Sequence, residues 1–261
     1  MTLDRFDLYE RCTQSPADMA RVLDAIHGNN PRALAEDFSG TAATARAWLT
    51  IANTPRRTAV ATDLEPLALN HHGPAKGLTL RRADVTKAPL SPRADIIFVG
   101  NFSICELHTT AALNAYISRA AARLKPGGVL VCDLYDGPGA LSVSSSRRTL
   151  PGPRASRITY TWHQRSANRA TRRVVNEIDF TVTRRGTRAT LKAAFRYDWK
   201  LWAHAALARA FRAAGLAPQL FPPMLDALDS DGNGYIAPVR RADLPKDAVF
   251  LVCGRKPRAT P

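Results

Sequence analysis

AEDFSGTAATARAWL, residues 35–49, parses as the end of a buried strand, a tight turn with one glycine, and the first turns of a helix. Pro31 stops whatever precedes it, and Ala33-Leu34-Ala35 is the short apolar run of a strand covered on both faces. Phe38-Ser39-Gly40-Thr41 forms the turn, where Gly40 supplies backbone freedom and close approach to a ligand. Ala42 to Leu49 is rich in helix formers. A strand that runs through such a turn into a helix start aims free N–H groups and a positive dipole end at one spot. That spot is expected to bind a ligand.

Working outward, TAVATDLEPLAL (58–69) reads as an apolar strand ending in Asp63, with a helix after it. Asp63 lies 23 residues beyond Gly40. An acid so placed in a doubly wound fold accepts hydrogen bonds from ribose hydroxyls. LTLRRADVT then supplies a third strand and Asp84, ADIIFVGNFS (94–103) a strongly apolar fourth strand, and LKPGGVLVCDLYDG (124–137) a turn and a fifth.

This order of motifs resembles the class I S-adenosylmethionine-dependent methyltransferases over residues 32–136. EDFSGTA is similar to their first motif, Asp63-Leu64 to the second, Asp84-Val85 to the third, and LKPGGVLV to the turn before the fifth strand. The resemblance implies S-adenosylmethionine as cofactor. Glu36 would orient its methionine end, with Asp37 as the competing acid, and Phe38, Ser39, Gly40 and Thr41 would line it. Asp63 and Leu64 would hold the ribose, and Asp84 and Val85 the adenine. Phe38 and Ala42 stand where the family usually has glycine. The implied fold is α/β, a doubly wound, mostly parallel seven-stranded sheet with helices on both faces.

Ligands in open α/β sheets sit beyond the carboxyl ends of the strands, which makes Asn101 and Phe102 further cofactor candidates. His108, a little later, is a candidate general base, with helix capping as the alternative role. The Asn or Asp-Pro-Pro-aromatic signature of amino-methylating nucleobase enzymes is absent, as is the Pro-Cys pair of the carbon-methylating group.

Upstream, Ser15-Pro16-Ala17-Asp18 reads as a helix start, with Met19, Val22, Leu23 and Ile26 on one apolar face and Gly28 at its end. Tyr9 to Gln14 is a polar and aromatic lead-in, read either as a cover for the cofactor or as a solvated edge. Downstream, LSVSSSRRTLPGPRAS reads as a polar loop. SRITYTWHQ, RRVVNEIDFTVT and TLKAAFRYDW then alternate as about three antiparallel strands, a lid whose structural alternative is a dimerising sheet. Within it Phe195, Tyr197 and Trp199 share one strand face and Arg196 and Asp198 the other. Tyr197 and Asp198 are candidate catalytic residues, as an aromatic wall and an acceptor for an amine or hydroxyl nucleophile. Lys200 to Ala214 is expected to be a helix, 218–221 a sixth strand, and AVFLVCGRK (248–256) the last, running antiparallel.

The organisation is therefore one methyltransferase domain over 1–261: an N-terminal helical segment (1–30), a cofactor-binding core (31–140), an antiparallel lid (141–199), and the last helix and strands (200–261). A length of 261 residues and 45% hydrophobic content suit that. The start, MTLDRFDLYE, lacks a signal-peptide pattern and no run nears a membrane span's length, so a cytoplasmic protein without a membrane partner is expected. Cys12, Cys105, Cys132 and Cys253 are scattered and read as buried thiols. His71-His72 lacks matching ligands and reads as a turn. DSDGNGYI (229–236) opens like a calcium loop, but Arg240 stands where the bidentate glutamate belongs. No metal is expected.

A net charge of +15 invites a nucleic-acid partner, but the excess is Arg in scattered pairs, as at 56–57, 81–82 and 172–173. The resulting expectation is a methyltransferase, a transferase acting on a small-molecule substrate. RNA methylation through the basic surface and non-catalytic cofactor binding are the alternatives.

Overall fold

A computed structural model describes residues 3–13, 15–28, 30–51, 56–228 and 234–258. In chain order its elements begin with helices α1 (Arg5–Thr13) and α2 (Pro16–His27), strand β1 (Ala33–Asp37) and helix α3 (Ala43–Leu49). Next come β2 (Thr58–Asp63), α4 (Pro66–Leu69), β3 (Leu78–Arg82), β4 (Ala94–Val99), α5 (Thr110–Arg123) and β5 (Leu124–Asp136). A run of four strands follows: β6 (Ser144–Pro151), β7 (Arg157–Asn168), β8 (Arg173–Arg184) and β9 (Thr187–Lys200). The chain ends with α6 (His204–Ala213), β10 (Ala217–Phe221), a small hairpin of β11 (Ala227–Leu228) and β12 (Gly234–Tyr235), and β13 (Ala248–Arg255).

These elements form two compact units. The larger starts at Pro16, leaves at Asp136 and resumes at Trp202. Its seven-stranded sheet has the order β10-β13-β5-β4-β1-β2-β3, and β13 alone runs antiparallel to its neighbours. Ile96 and Phe98 of β4 pack with Leu34, Val129 and Val131 against Val22, Leu23 and Ile26 of α2 and Ala45 and Trp48 of α3. The intervening Ile97, Val99, Leu130 and Cys132 are buried too, which is why these strands show no polar alternation. Sequence order reverses between β1 and its neighbour β4, the switch point at which open α/β sheets hold ligands.

The smaller unit joins residues 1–15 to residues 137–201. Its sheet has the order β6-β7-β8-β9, all antiparallel. One face carries Ile158, Tyr160, Ile178, Phe180 and Val182, closed by Leu8 and Cys12 of α1. Arg148 donates to the Cys12 carbonyl and lies over the Tyr160 ring.

Three sequence expectations change. The antiparallel sheet has four strands, because SSSRRTLP pairs along β7 instead of looping. That strand is almost wholly exposed on both faces, so no apolar alternation marks it. The lead-in from Tyr9 is helical and belongs with the antiparallel sheet, since Leu8 and Cys12 find their apolar surface there. The helix expected from Lys200 begins at His204, because Trp199 and Lys200 continue the ladder opposite Val174 and Arg173. Asp136 then receives the His204 backbone N–H at 3.0 Å and its Nδ1 at 3.1 Å. The expected strands at 218–221 and 248–256 are β10 and β13, the latter antiparallel as read. Of the calcium-like loop, Asp229, Asp231 and Asn233 lie outside the described residues, and Gly234-Tyr235 pairs with Ala227-Leu228. All four cysteines are buried.

Candidate active site

The site builds from the C-terminal end of β1. Past Asp37 the chain alternates through left-handed backbone at Phe38 (φ 55), Gly40 (φ 54) and Ala42 (φ 60) before α3 starts. A side chain in that region costs about 1–2 kcal/mol, so two of the three positions carry strain that glycine would avoid. Ala42 is fully buried and has only a Cβ to lose. Ala42→Gly is therefore expected to raise stability, by up to about 1 kcal/mol once the greater freedom of glycine in the unfolded chain is offset. A chemical-denaturation midpoint below the parent's would contradict this account of the turn.

Glu36 and Asp37 point to opposite sides, and only one is available for ligand chemistry. Asp37 is wholly buried and gripped by the Arg123 fork at 2.6 and 2.9 Å and by the Tyr116 hydroxyl at 2.7 Å. Burial, then the charge of Asp37, holds the Tyr116 phenol well above its usual range, so it stays a donor. Glu36 has no cation of this kind. Its Oε2 accepts the Ala45 N–H at 2.8 Å at the start of α3. Burial pushes its carboxyl up to about 7 despite the bonds from Ala45 and Thr44, and the charge of Asp63 adds to the rise. Ser39 and Thr62 flank this region with buried hydroxyls that have no protein partner.

Asp63 ties the second strand to the turn. Its Oδ2 accepts the Gly40 N–H at 2.7 Å and its Oδ1 the Glu65 N–H at 2.9 Å. Leu64 beside it is 65% exposed. Thr41 is buried and Phe38 packs edge-on against Tyr116, with ring centroids 5.9 Å apart. Asp84 caps the short helical turn at Val85–Lys87, taking Thr86 N–H at 2.9 Å and Thr86 Oγ1 at 2.7 Å. The Thr86 hydroxyl bond, against some burial, draws its carboxyl below the usual range. Val85 is buried.

After β4, Asn101 (φ 56) and Phe102 (φ 60) form a second left-handed turn. Asp133 on β5 holds it, accepting the Phe102 N–H at 2.7 Å. Asp133 was missed in the sequence, although an acid inside the apolar run VLVCDL is a visible signal. Burial pushes its carboxyl up to about 7, opposed by the backbone bonds from Phe102 and Asn101. His108 is half-buried in the loop before α5, whose cap is Thr109 accepting Ala112 N–H at 3.1 Å. Capping thus falls to Thr109.

Tyr197 and Asp198 belong to the other unit, on opposite faces of β9. Tyr197 stacks on Trp199 at 4.6 Å, whereas Asp198 takes the Arg173 fork at 3.1 and 2.5 Å on the exposed face. One extended strand cannot present both to the same small ligand.

Solved structures share this fold. DesVI from Streptomyces venezuelae matches 98% of this chain and 100% of its own at TM-score 0.71 and 18% identity. CalS10 from Micromonospora echinaspora, an amino pentose methyltransferase solved with S-adenosylmethionine bound, matches 98% of each chain at TM-score 0.70 and 17% identity. The sugar N-methyltransferase KedS8 from Streptoalloteichus matches 99% of this chain and 95% of its own at TM-score 0.66 and 18% identity. This is the class I S-adenosylmethionine-dependent methyltransferase fold. No family model and no curated protein matches the sequence. No described helix is long and apolar enough to cross a membrane.

On this methyltransferase fold the two raised carboxyls give a pH dependence with a definite sign. Glu36 and Asp133 start from ordinary values of 4.5 and 3.8 and rise to about 7 on folding. Between those limits the folded chain keeps protons that the unfolded chain has released, so stability falls as pH rises through this window and levels off above about 7. His27, whose burial lowers its pKa, opposes the trend near the top of the window. Melting temperatures at pH 5 and 7.5 should differ less in Glu36→Gln than in the parent. An unchanged difference would remove Glu36 from the account.

Proposed function

We propose that the chain is an S-adenosylmethionine-dependent methyltransferase that methylates a small molecule at an amine. The observation that carries the reading is the joined set Glu36, Gly40 and Asp63 at the ends of β1 and β2 on this fold. The donor set fits the cofactor. A buried carboxylate without a cation suits the positively charged methionine end, Asp63 keeps acceptor capacity for ribose hydroxyls, and exposed Leu64 offers an apolar face to a base. Asp84 and Val85 are assigned to the adenine edge, Ser39 and Thr41 to the tail, and Asn101 and Phe102 to the turn facing it.

When bound, the cofactor supplies a methyl group already activated by its sulfonium. The protein's work is then alignment and exclusion of water. Asp133 fixes the Asn101-Phe102 turn so that its backbone does not reorganise when the ligands arrive. His108 is assigned as acceptor of the amine's proton. Acceptor recognition is assigned to the antiparallel unit, with Tyr197 on its aromatic face. For Asp198 the test is Asp198→Asn: loss of an exposed ion pair costs little stability, so turnover that falls at unchanged melting temperature would give it a catalytic part.

The sugar and amino pentose methyltransferases among the structural neighbours support an amino sugar as acceptor. Calorimetry should detect binding of S-adenosylmethionine and its demethylated product, and methyl-labelled cofactor should label an amino sugar. Absence of binding by either compound would sink the reading. Label entering RNA alone at physiological salt would replace the acceptor with RNA.

A further inference from the structure

One residue of the antiparallel unit has polar atoms that the protein leaves unanswered. Gln164, Asn176 and Tyr197 pair directly across β7, β8 and β9, a polar row beside the apolar cluster of Ile158, Ile178 and Phe180, with Ser144 and Arg148 of β6 on the same face. Gln164 is satisfied, donating to the Ala140 and Ser142 carbonyls at 2.8 Å each. Asn176 in the centre is 1% exposed, and neither its amide nitrogen nor its amide oxygen has a hydrogen-bond partner among the described residues. An apolar residue of the same size would avoid that penalty, so the amide is not explained by packing.

Aromatic residues stand on the strands beside Asn176. Trp162 on β7 and the pair Tyr197 and Trp199 on β9 stand two strands apart, about 9.5 Å at the backbone. Their ring centroids nevertheless approach to 6.3 Å (Trp162–Tyr197) and 5.7 Å (Trp162–Trp199), so the rings lean together over β8. The flanking side chains Ile178, Phe195, Val174 and Trp199 are uncharged, and Arg5 lies over the Phe195 ring at 5.3 Å. An amide offers a donor and an acceptor side by side, the match for a hydroxyl or a pair of vicinal hydroxyls. Aromatic faces around it suit the flat C–H faces of a saturated ring.

We propose that Asn176 is a specificity-determining residue which hydrogen-bonds ring hydroxyls of a carbohydrate-like methyl acceptor once the Trp162, Tyr197 and Trp199 rings part. The inference rests on the amino-sugar reading above and goes further in naming the residue that recognises its hydroxyls.

The test uses D-glucosamine as probe, with the protein saturated by the demethylated cofactor. Asn176→Leu and Asn176→Ala are compared with the parent by ligand-observed NMR titration, thermal melting and calorimetry of the cofactor. Glucosamine affinity should fall about tenfold or more in both variants, as expected when a buried hydrogen-bonding partner is lost. Asn176→Leu should melt at or above the parent, since it removes an unsatisfied pair. Cofactor affinity should be unchanged in both, and its absence in the parent would instead defeat the broader reading. The proposal is overturned if glucosamine binds parent and variants alike, or does not bind the parent. It is equally overturned if Asn176→Leu lowers the melting temperature, because the amide would then be satisfied within the protein.

Discussion

Arg123→Met is expected to destabilise the larger unit by about 3–5 kcal/mol, the usual result of removing one partner from a buried pair. Asp37 would keep only the Tyr116 hydroxyl, with its carboxylate sealed in the core. The guanidinium is itself almost buried, at 5% side-chain exposure, so water cannot take its place. The loss should appear as a shift in urea midpoint. It should be largely recovered in the triple replacement Asp37→Leu, Tyr116→Phe, Arg123→Met, because exchanging the whole cluster for apolar groups leaves nothing unpaired. A single-variant loss below about 1 kcal/mol, in the range of ordinary surface changes, would show that the fork is not what holds Asp37.

Asp63→Ala is expected to weaken binding of the demethylated cofactor by roughly 1–3 kcal/mol, about five- to 150-fold in Kd. Two losses combine. The ribose hydroxyls lose their acceptor, and the Gly40 and Glu65 N–H groups lose theirs, which slackens the turn that lines the site. Asp63→Asn separates them, since its amide keeps one acceptor oxygen while losing charge. It should bind with intermediate affinity and melt close to the parent. Calorimetry giving parental affinity for Asp63→Ala would remove the acid from the cofactor site.

The centre of the parallel core was legible because its strands are apolar runs closed by an acid or a glycine turn. ALAED, TAVATD and ADIIFV needed only length and termini to be placed. The antiparallel strands β7 to β9 were legible by alternation, as in Ile158, Tyr160 and Trp162. β6 was not, because both of its faces meet water and pairing alone defines it. At the site, Glu36 and Asp63 stood out by spacing, but the competition between Glu36 and Asp37 had no local answer. It was decided by Arg123, 86 residues away on α5, and no window of sequence contains both. Asp133 is visible as an acid inside an apolar run, but its task is set by the backbone of Phe102, which lies 31 residues before it. The pairing of Asn176 with Gln164 and Tyr197 required the strand register, and with it the bulges that interrupt the ladders at Gln164/Ser166 and Ile178/Phe180.

The joining of residues 1–15 to residues 137–201 has a consequence during synthesis. Leu8 and Cys12 leave the ribosome long before the strands that bury them exist. At roughly 5–20 residues per second the delay is on the order of ten seconds, while the parallel strands between are already emerging. For that interval α1 is a nine-residue helix with no partner surface, too short to hold together alone. A segment made before the parallel core is thus among the last to become ordered. A bulky fusion placed just ahead of α1 would act on this late docking step, while the earlier parallel core could form without it.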